Sequence, residues 1–600
     1  MIRVSDRVIF NPMPNVQTSD ETAADGYALP LIVAVTGHRD LLSSEIPDIR
    51  ILVRDLLVWL GEHFPERRLS VMSSLAEGAD RLVAEVALDL NIDLTVLLPM
   101  RKDLYMQDFV TPESRTQFES LCNRAGEVLE LPQARGSNGD QVSVPGLERD
   151  RQYAQLGVFL CAHCHILLAL WDGKPSDRLG GTGQVVRFHH DDIMPGYTTP
   201  TIATQQMLVD DESDLVYHIV CSRNRENGAP HGDFEALECC WYTKDRDNPR
   251  SKDLPKQHQT IFQRSSEFSS DAIRFSDRIE AEAYPLLDEK DLEDLPPGIE
   301  NINRIFCIAD WLSIHYQKRV LFSLRGTHVF AFLMGLMFIL YSDLRTDQSF
   351  MIGFLVFFFC AASVQYFAKR GSWHRRYLDY RALAEGLRVQ YYWAAAGVTT
   401  DNESKFAHDA FLQTQDPELG WIRNVMRVAG TRCDAAPNRK PEGIAYVLRE
   451  WIGDQGSGQL GYFRSKARDR IRTSSVTRRL AFLSLLVSVT VIALLVILGS
   501  AMSSDVRQPL MTAMGAVLLL VAIRHNYAHS TAERELIKQY EFMMRIFLNA
   551  LRRLNHADDD TERRLILRAL GGSALDEHAE WILMHRDRSL EQGEIWRMGS

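Results

Sequence analysis

Basic residues are in deficit in this chain. Lys and Arg number 67 against 79 Asp and Glu, giving a formal net charge of −12. That balance argues against a nucleic-acid polymer as the main partner, because phosphate binding needs a basic surface. Cysteine is scarce too: nine residues, scattered without the rhythm of a disulfide framework, which suits a reducing compartment. A basic, apolar, small-residue leader is also missing from residues 1–30, so no cleaved export signal is expected. What the chain does have is length: 600 residues exceed one core and predict about three or four domains.

Mean hydropathy is only −0.17, yet the average conceals four apolar segments, at 327–342, 350–368, 480–502 and 508–523. A membrane-spanning helix needs about 20 apolar residues. The segments form two close pairs with short polar links. Lys318, Arg319, Lys369, Arg370, Arg375 and Arg376 flank the first pair, and Arg470, Arg472, Arg478, Arg479 and Arg524 flank the second. The positive-inside rule then predicts a multi-pass membrane protein with both termini and all large soluble parts in the cytoplasm. Arg325, His328, Gln365, Ser488 and Thr490 are the polar groups in or beside these spans, where such groups are costly and line water paths. Four helices leave little room for a conduit, so a pore would require a homo-oligomer in contact with membrane lipid.

Upstream, residues 29–225 alternate short apolar runs (31–35, 69–72, 94–98, 127–131, 165–171, 215–221) with helical patterns near 45–62, 78–90, 114–125, 149–162 and 182–189. Such alternation predicts an α/β domain with a Rossmann-like parallel sheet covered by helices. The remaining divisions are a lead at 1–28, a linker with helical pieces at 226–298, a first hairpin with its cytosolic helices at 299–397, a connector at 398–444, and a second hairpin with its helices at 445–600. Helical lead-in and lead-out segments are expected around both hairpins, at 299–319, 373–393, 445–472 and 528–554.

The polar residues of the α/β part gather just after the apolar runs. Thr36-Gly37-His38-Arg39 follows the first; Ser74, Glu77, Gly78, Asp80 and Arg81 follow the second; Pro99 ends the third. Trp171-Asp172 ends the fifth, with Gly180-Gly181-Thr182 beyond it. Ligands bind outside the carboxyl ends of strands in open α/β sheets, and helix N-termini there favour anions. These fifteen residues are therefore the candidate ligand site. Arg39 and Arg81 suit phosphate or ribose, and Asp80 suits ribose hydroxyls. No catalytic residue, metal ligand or cofactor is assigned. His189-His190-Asp191-Asp192 converges poorly as a metal set, since adjacent helical residues point about 100° apart.

Val35-Thr36-Gly37-His38-Arg39, Leu75-Ala76-Glu77-Gly78-Ala79-Asp80-Arg81, Val96-Leu97-Leu98-Pro99, Tyr105 with Asp108-Phe109, and Trp171-Asp172-Gly173 with Gly180-Gly181-Thr182 together resemble the SLOG superfamily. That Rossmann-like group includes DNA-processing proteins and the cytokinin-activating "lonely guy" hydrolases. The C-terminal half resembles SLATT, its two-transmembrane partner domain, through Ala309-Asp310, Tyr316, Tyr380-Arg381-Ala382-Leu383-Ala384-Glu385 and Trp451-Ile452. The resemblance implies a nucleotide-signal-gated membrane effector, an ion channel or depolarising pore in the inner (plasma) membrane of bacteria, acting in antiphage defence. Its implied ligand is a nucleotide-derived second messenger, a cyclic oligonucleotide or an ADP-ribose derivative. The alternative is a membrane-tethered nucleotide or nucleoside hydrolase. The hydrolases place a catalytic Glu downstream of a Pro-Gly-Gly-x-Gly-Thr turn; here Leu179 stands at the Pro position and the downstream Glu is missing, leaving Glu77 or Asp80 to substitute as acid or base.

Overall fold

In a computed structural model the described residues are 26–134, 142–176, 178–198, 214–244, 249–287, 289–343, 346–398, 419–437, 439–454, 456–498, 502–531 and 533–587. Most of the expected lead, residues 1–25, lies outside them.

The α/β part runs β1 (Pro30–Gly37), α1 (Ile46–His63), β2 (Arg68–Ser73), α2 (Ala79–Asp89), β3 (Asp93–Leu98), α3 (Lys102–Tyr105), α4 (Pro112–Arg124), β4 (Glu127–Glu130), α5 (Leu147–Ala162), β5 (Ile166–Trp171), α6 (Thr182–Asp191) and β6 (Val216–Val220). All six expected strands are present, and β1–β6 pair in parallel. β1 and β5 read as near-continuous apolar runs because both of their faces are covered. One cluster packs Val33, Val71 and Ile166 under α1 and α2, and a second packs Ala34, Met72 and Leu167 under α5 and α6.

The sheet does not stop at residue 225. The expected linker adds β7 (Cys239–Tyr242) and β8 (Arg250–Ser251), both antiparallel, and then the 19-residue helix α7 (Lys256–Arg274) and α8 (Ser276–Glu282). The result is a mixed eight-stranded sheet, order β4-β3-β2-β1-β5-β6-β7-β8, in place of the plain parallel Rossmann-like sheet expected. The chain steps outward from β1 to β4 and returns beside β1 as β5, so the order reverses between β1 and β5.

Beyond the sheet everything is helical. α9 (Ile299–Asp343) spans 45 residues without a break, joining the expected cytosolic lead-in to the first apolar segment. α10 (Gln348–Arg370) begins at Asp347, whose carboxylate accepts the Ser349 amide at 2.9 Å. α11 (Trp373–Ala396) follows as expected. The connector contains α12 (Gly420–Ala429), buried throughout, and α13 (Thr431–Ala435); residues 399–418 lie outside the described ones. The second lead-in is not one helix. α14 (Pro441–Val447) passes through a π-turn to Gly453, at φ +67°, before α15 (Gly458–Leu498) begins. Likewise α16 (Ser504–Ser530), which starts ahead of Pro509, is separated from α17 (Glu533–Leu554), and α18 (Asp560–Asp587) completes the order.

α9, α10, α15 and α16 are long and apolar enough to cross a membrane. α9 packs on α10 and on α16, and α16 on α15, so the four stand in the order α10-α9-α16-α15. Small residues let α9 and α16 approach: a Cβ on Gly335 would lie 2.6 Å from Leu519 Cδ2. Thr490 returns its hydroxyl to the Leu486 carbonyl of its own helix (2.8 Å), and His328 Nδ1 pairs with the Leu324 carbonyl (2.7 Å). Arg325 Nε reaches the Tyr527 hydroxyl at 3.5 Å, a link between the two hairpins.

Candidate functional site

The β1 run ends in Thr36 and Gly37, then turns at His38. Gly37 has no room for a side chain: a Cβ there would overlap Ala79 and lie 3.0 Å from Leu170 Cβ. Its missing side chain lets the start of α2 sit directly on the β1–β5 junction. Gly78, at the N-cap of α2, holds φ +82° with the His38 and Arg39 carbonyls beside it, and the Ala79 amide donates to the His38 carbonyl at 3.1 Å. The Thr36–Arg39 and Ser74–Arg81 segments are thereby stitched together. Gly78→Ala combines a left-handed backbone with a Cβ 2.6 Å from the His38 oxygen. We expect it to cost about 3 kcal/mol, read as a lowered denaturation midpoint; an unchanged midpoint would mean that this turn is not strained.

Several expected ligand contacts are committed within the protein. Arg81 is 3 % exposed. It donates to the Leu75 carbonyl (3.0 Å), to Ser114 Oγ (2.9 Å) and to Gln117 Oε1 (3.0 Å), and lies over the Phe109 ring. It therefore pins α4 to α2, and burial lowers its pKa. Its Nη2 has no hydrogen-bond partner among the described residues. Glu77 accepts from the Ser114 hydroxyl. His38 Nε2 accepts the Asp172 amide at 3.1 Å and lies 3.0 Å from Asp172 Oδ1. Burial pushes the Asp172 carboxyl up, but His38 and the Lys174 amide outweigh it and hold Asp172 below the usual carboxylate range. Trp171 donates its indole N–H to the Lys174 carbonyl (2.9 Å), and the Pro99 carbonyl accepts from Gln152 (2.7 Å).

A second set remains uncommitted. Arg39 is exposed and lies over the Tyr153 ring, 5.6 Å from its centroid. Tyr153 comes from α5 and backs onto Gly180, whose Cβ position would be 2.9 Å from the Tyr153 Cβ. The Tyr153 hydroxyl is buried without a hydrogen-bond partner among the described residues, the Tyr105 hydroxyl has Ser74 within reach, and the two rings lie 6.3 Å apart. Beside them Asp80, 5 % exposed, accepts from the Ser74 hydroxyl. Burial pushes its pKa up to about 6 against the opposing pull of Ser74 and Arg39. Arg39, Glu77, Gly78 and Arg81 also line an open cleft of about 720 Å³ between α1, α2 and α4, together with Arg50, Glu85 and Ser114.

The structure thus brings Arg39, Ser74, Glu77, Gly78, Asp80 and Arg81 to one end of the sheet. Gly180 reaches them through Tyr153, while Gly181 and Thr182 open α6 behind it. His38 and Asp172 form their own pair at the ends of β1 and β5. Tyr153, Ser114 and Gln117 were absent from the expected set. Tyr153 sits on a helix buried on most of its faces, Gln152 and Gln155 included, so its residues give no sign of which ring faces the crevice, and Ser114 had only its Thr111-Pro112 helix start as a signal. What the arrangement offers is one exposed cation on an aromatic face, one buried hydroxyl without a partner among the described residues, and a carboxyl raised to about 6. No family model matches this chain, and neither a curated protein nor a solved structure matches it.

Proposed function

We propose that this protein is a ligand-gated membrane effector whose α/β part takes up a nucleotide-derived signal, as its resemblance to SLOG and SLATT proteins implies. One observation carries the reading. Where the strand order reverses, Arg39, Tyr153, Tyr105 and Asp80 converge beside the N-terminus of α2, an arrangement suited to a phosphorylated ring compound. A cyclic oligonucleotide or an ADP-ribose derivative supplies the anion for Arg39, a stacking face for Tyr153 and hydroxyls for Asp80. The basic flanks of all four spanning helices lie on the same side as the α/β part, which supports a cytoplasmic sensor and an effector in the plasma membrane.

The test is ion flux from liposomes carrying the full chain, challenged with a panel of cyclic oligonucleotides and ADP-ribose derivatives. One compound is expected to trigger flux, and Arg39→Ala to weaken its binding at least tenfold, the loss of about one charge-assisted contact. Unchanged affinity in Arg39→Ala would remove the crevice as the sensing site. Recovery of a cleaved nucleotide would move the protein to the hydrolase class, with Asp80 as the group whose pKa suits proton transfer.

A further inference from the structure

Below its membrane segment α15 carries an unusual run of cations: Arg464, Lys466, Arg468, Arg470, Arg472, Arg478 and Arg479, interrupted by one acid, Asp469. Helical geometry sorts them. At 3.6 residues per turn Arg468, Arg472 and Arg479 fall on one line, with Arg478 at its flank. The same line continues upward through Leu486 and Ile497, which are 53 % and 74 % exposed. Ser488 is buried on the opposite face and Ala467 to one side of the line, where α15 meets α16 and α17. The four arginines are exposed and make no ion pair among the described residues.

We propose that this arginine line binds anionic phospholipid headgroups in the leaflet facing the α/β part. The inference rests on the four helices crossing a membrane and not on the sensing role. Four considerations select a lipid as the occupant. The arginines lie directly beneath side chains that face the acyl chains, so the lipid touching Leu486 and Ile497 has its headgroup on this line. Depth agrees: at 1.5 Å per residue Arg478 and Arg479 lie about 2–3 Å from Leu480, where the apolar stretch begins, and Arg472 about 12 Å. A headgroup layer of about 5–8 Å and a screening length of about 8 Å include all three, with Arg468 at the edge of reach. Charge agrees as well, because no acidic residue occurs between Arg470 and Asp505, so Arg472, Arg478 and Arg479 stand in a stretch of one sign. Arginine also presents a planar fork that matches phosphate.

Native mass spectrometry of the full chain in neutral detergent decides the matter, with phosphatidylglycerol and phosphatidylcholine of identical acyl chains as probes. At low salt phosphatidylglycerol should be retained at least about tenfold more tightly, as expected for two or three cations at headgroup depth. The preference should shrink as salt is raised. Arg468→Gln/Arg472→Gln/Arg478→Gln/Arg479→Gln should abolish it, while Arg552→Gln/Arg553→Gln, exposed at the far end of α17, should keep it. Equal retention of the two lipids, a preference indifferent to salt, or one that survives the fourfold substitution would each overturn the proposal. Displacement of phosphatidylglycerol by a short DNA duplex would overturn it too, and would give the line to a nucleic acid. The salt series on the unmodified chain needs no substitution, so a misfolded variant cannot leave the question open.

Discussion

Arg427→Ala is expected to destabilise the protein by about 3–5 kcal/mol. Arg427 and Asp214 have side chains 1 % and 0 % exposed and meet at 3.1 Å, with Lys244 at 3.5 Å from the second Asp214 oxygen. Arg427 stands on α12 and Asp214 just ahead of β6, so the pair joins the helical part to the sheet. The Arg427 carbonyl also meets His163 Nδ1 at 2.7 Å. Truncating the arginine removes the closer of the two cations from a carboxylate that water cannot reach, leaving it the longer Lys244 contact. Arg427→Met/Asp214→Asn, which removes both charges at similar volume, is expected to lose less than the single change. Chemical denaturation of all three chains checks this. Equal losses in the single and double variants would show that the pair itself contributes nothing.

Asp271→Asn is expected to separate ligand binding from ion flux. Asp271 lies on α7, whose neighbouring Ser269 accepts the Leu29 amide at the start of β1 (3.1 Å) and whose Phe262 packs edge-on against Phe64. Its carboxylate accepts from Arg376 on α11 (2.7 Å to each oxygen), from Tyr316 on α9 (3.0 Å) and from Tyr380 on α11 (2.6 Å). Three helices, two of them continuous with or adjoining the spanning segments, therefore close on one buried anion. The carboxamide keeps the shape but loses the charge that holds Arg376. Affinity should stay within about twofold while ligand-triggered flux falls about tenfold, within the range by which single residues modulate coupling. Flux at the original level would remove Asp271 from the transmission route; a parallel loss of affinity would show damage to the whole fold.

How far such a molecule can be read from its residues depends on where the determinants lie. β1 and β5 announce themselves because strands covered on both faces read as near-continuous apolar runs. β7 does not. Its four residues, Cys239–Tyr242, are too short for any period and stand in a polar stretch. α12 is hidden for the opposite reason: Arg423, Asn424 and Arg427 look like a solvated face, yet the fold buries all three and pairs Arg427 with Asp214. At the candidate site, Gly37 and Gly78 were legible because turns and close approaches need glycine. The exchange of roles between Arg81 and Tyr153 was not. Arg81 reads as a phosphate ligand until α4 delivers Ser114 and Gln117 to it, and Tyr153 reads as ordinary core until α5 brings it under Arg39. Both depend on contacts between residues more than thirty positions apart.

The unbroken course of α9 has a mechanical meaning. Tyr316, tied to Asp271, marks a fulcrum along a rod of 45 residues. Below it the arm to Ile299 is about 26 Å, and above it the arm to Asp343 is about 40 Å, at 1.5 Å per residue. A rigid lever of these proportions enlarges travel about one and a half times between sheet and bilayer. Were α9 to turn about Tyr316, a displacement of about 1 Å at the sheet end would become about 1.5 Å at Asp343.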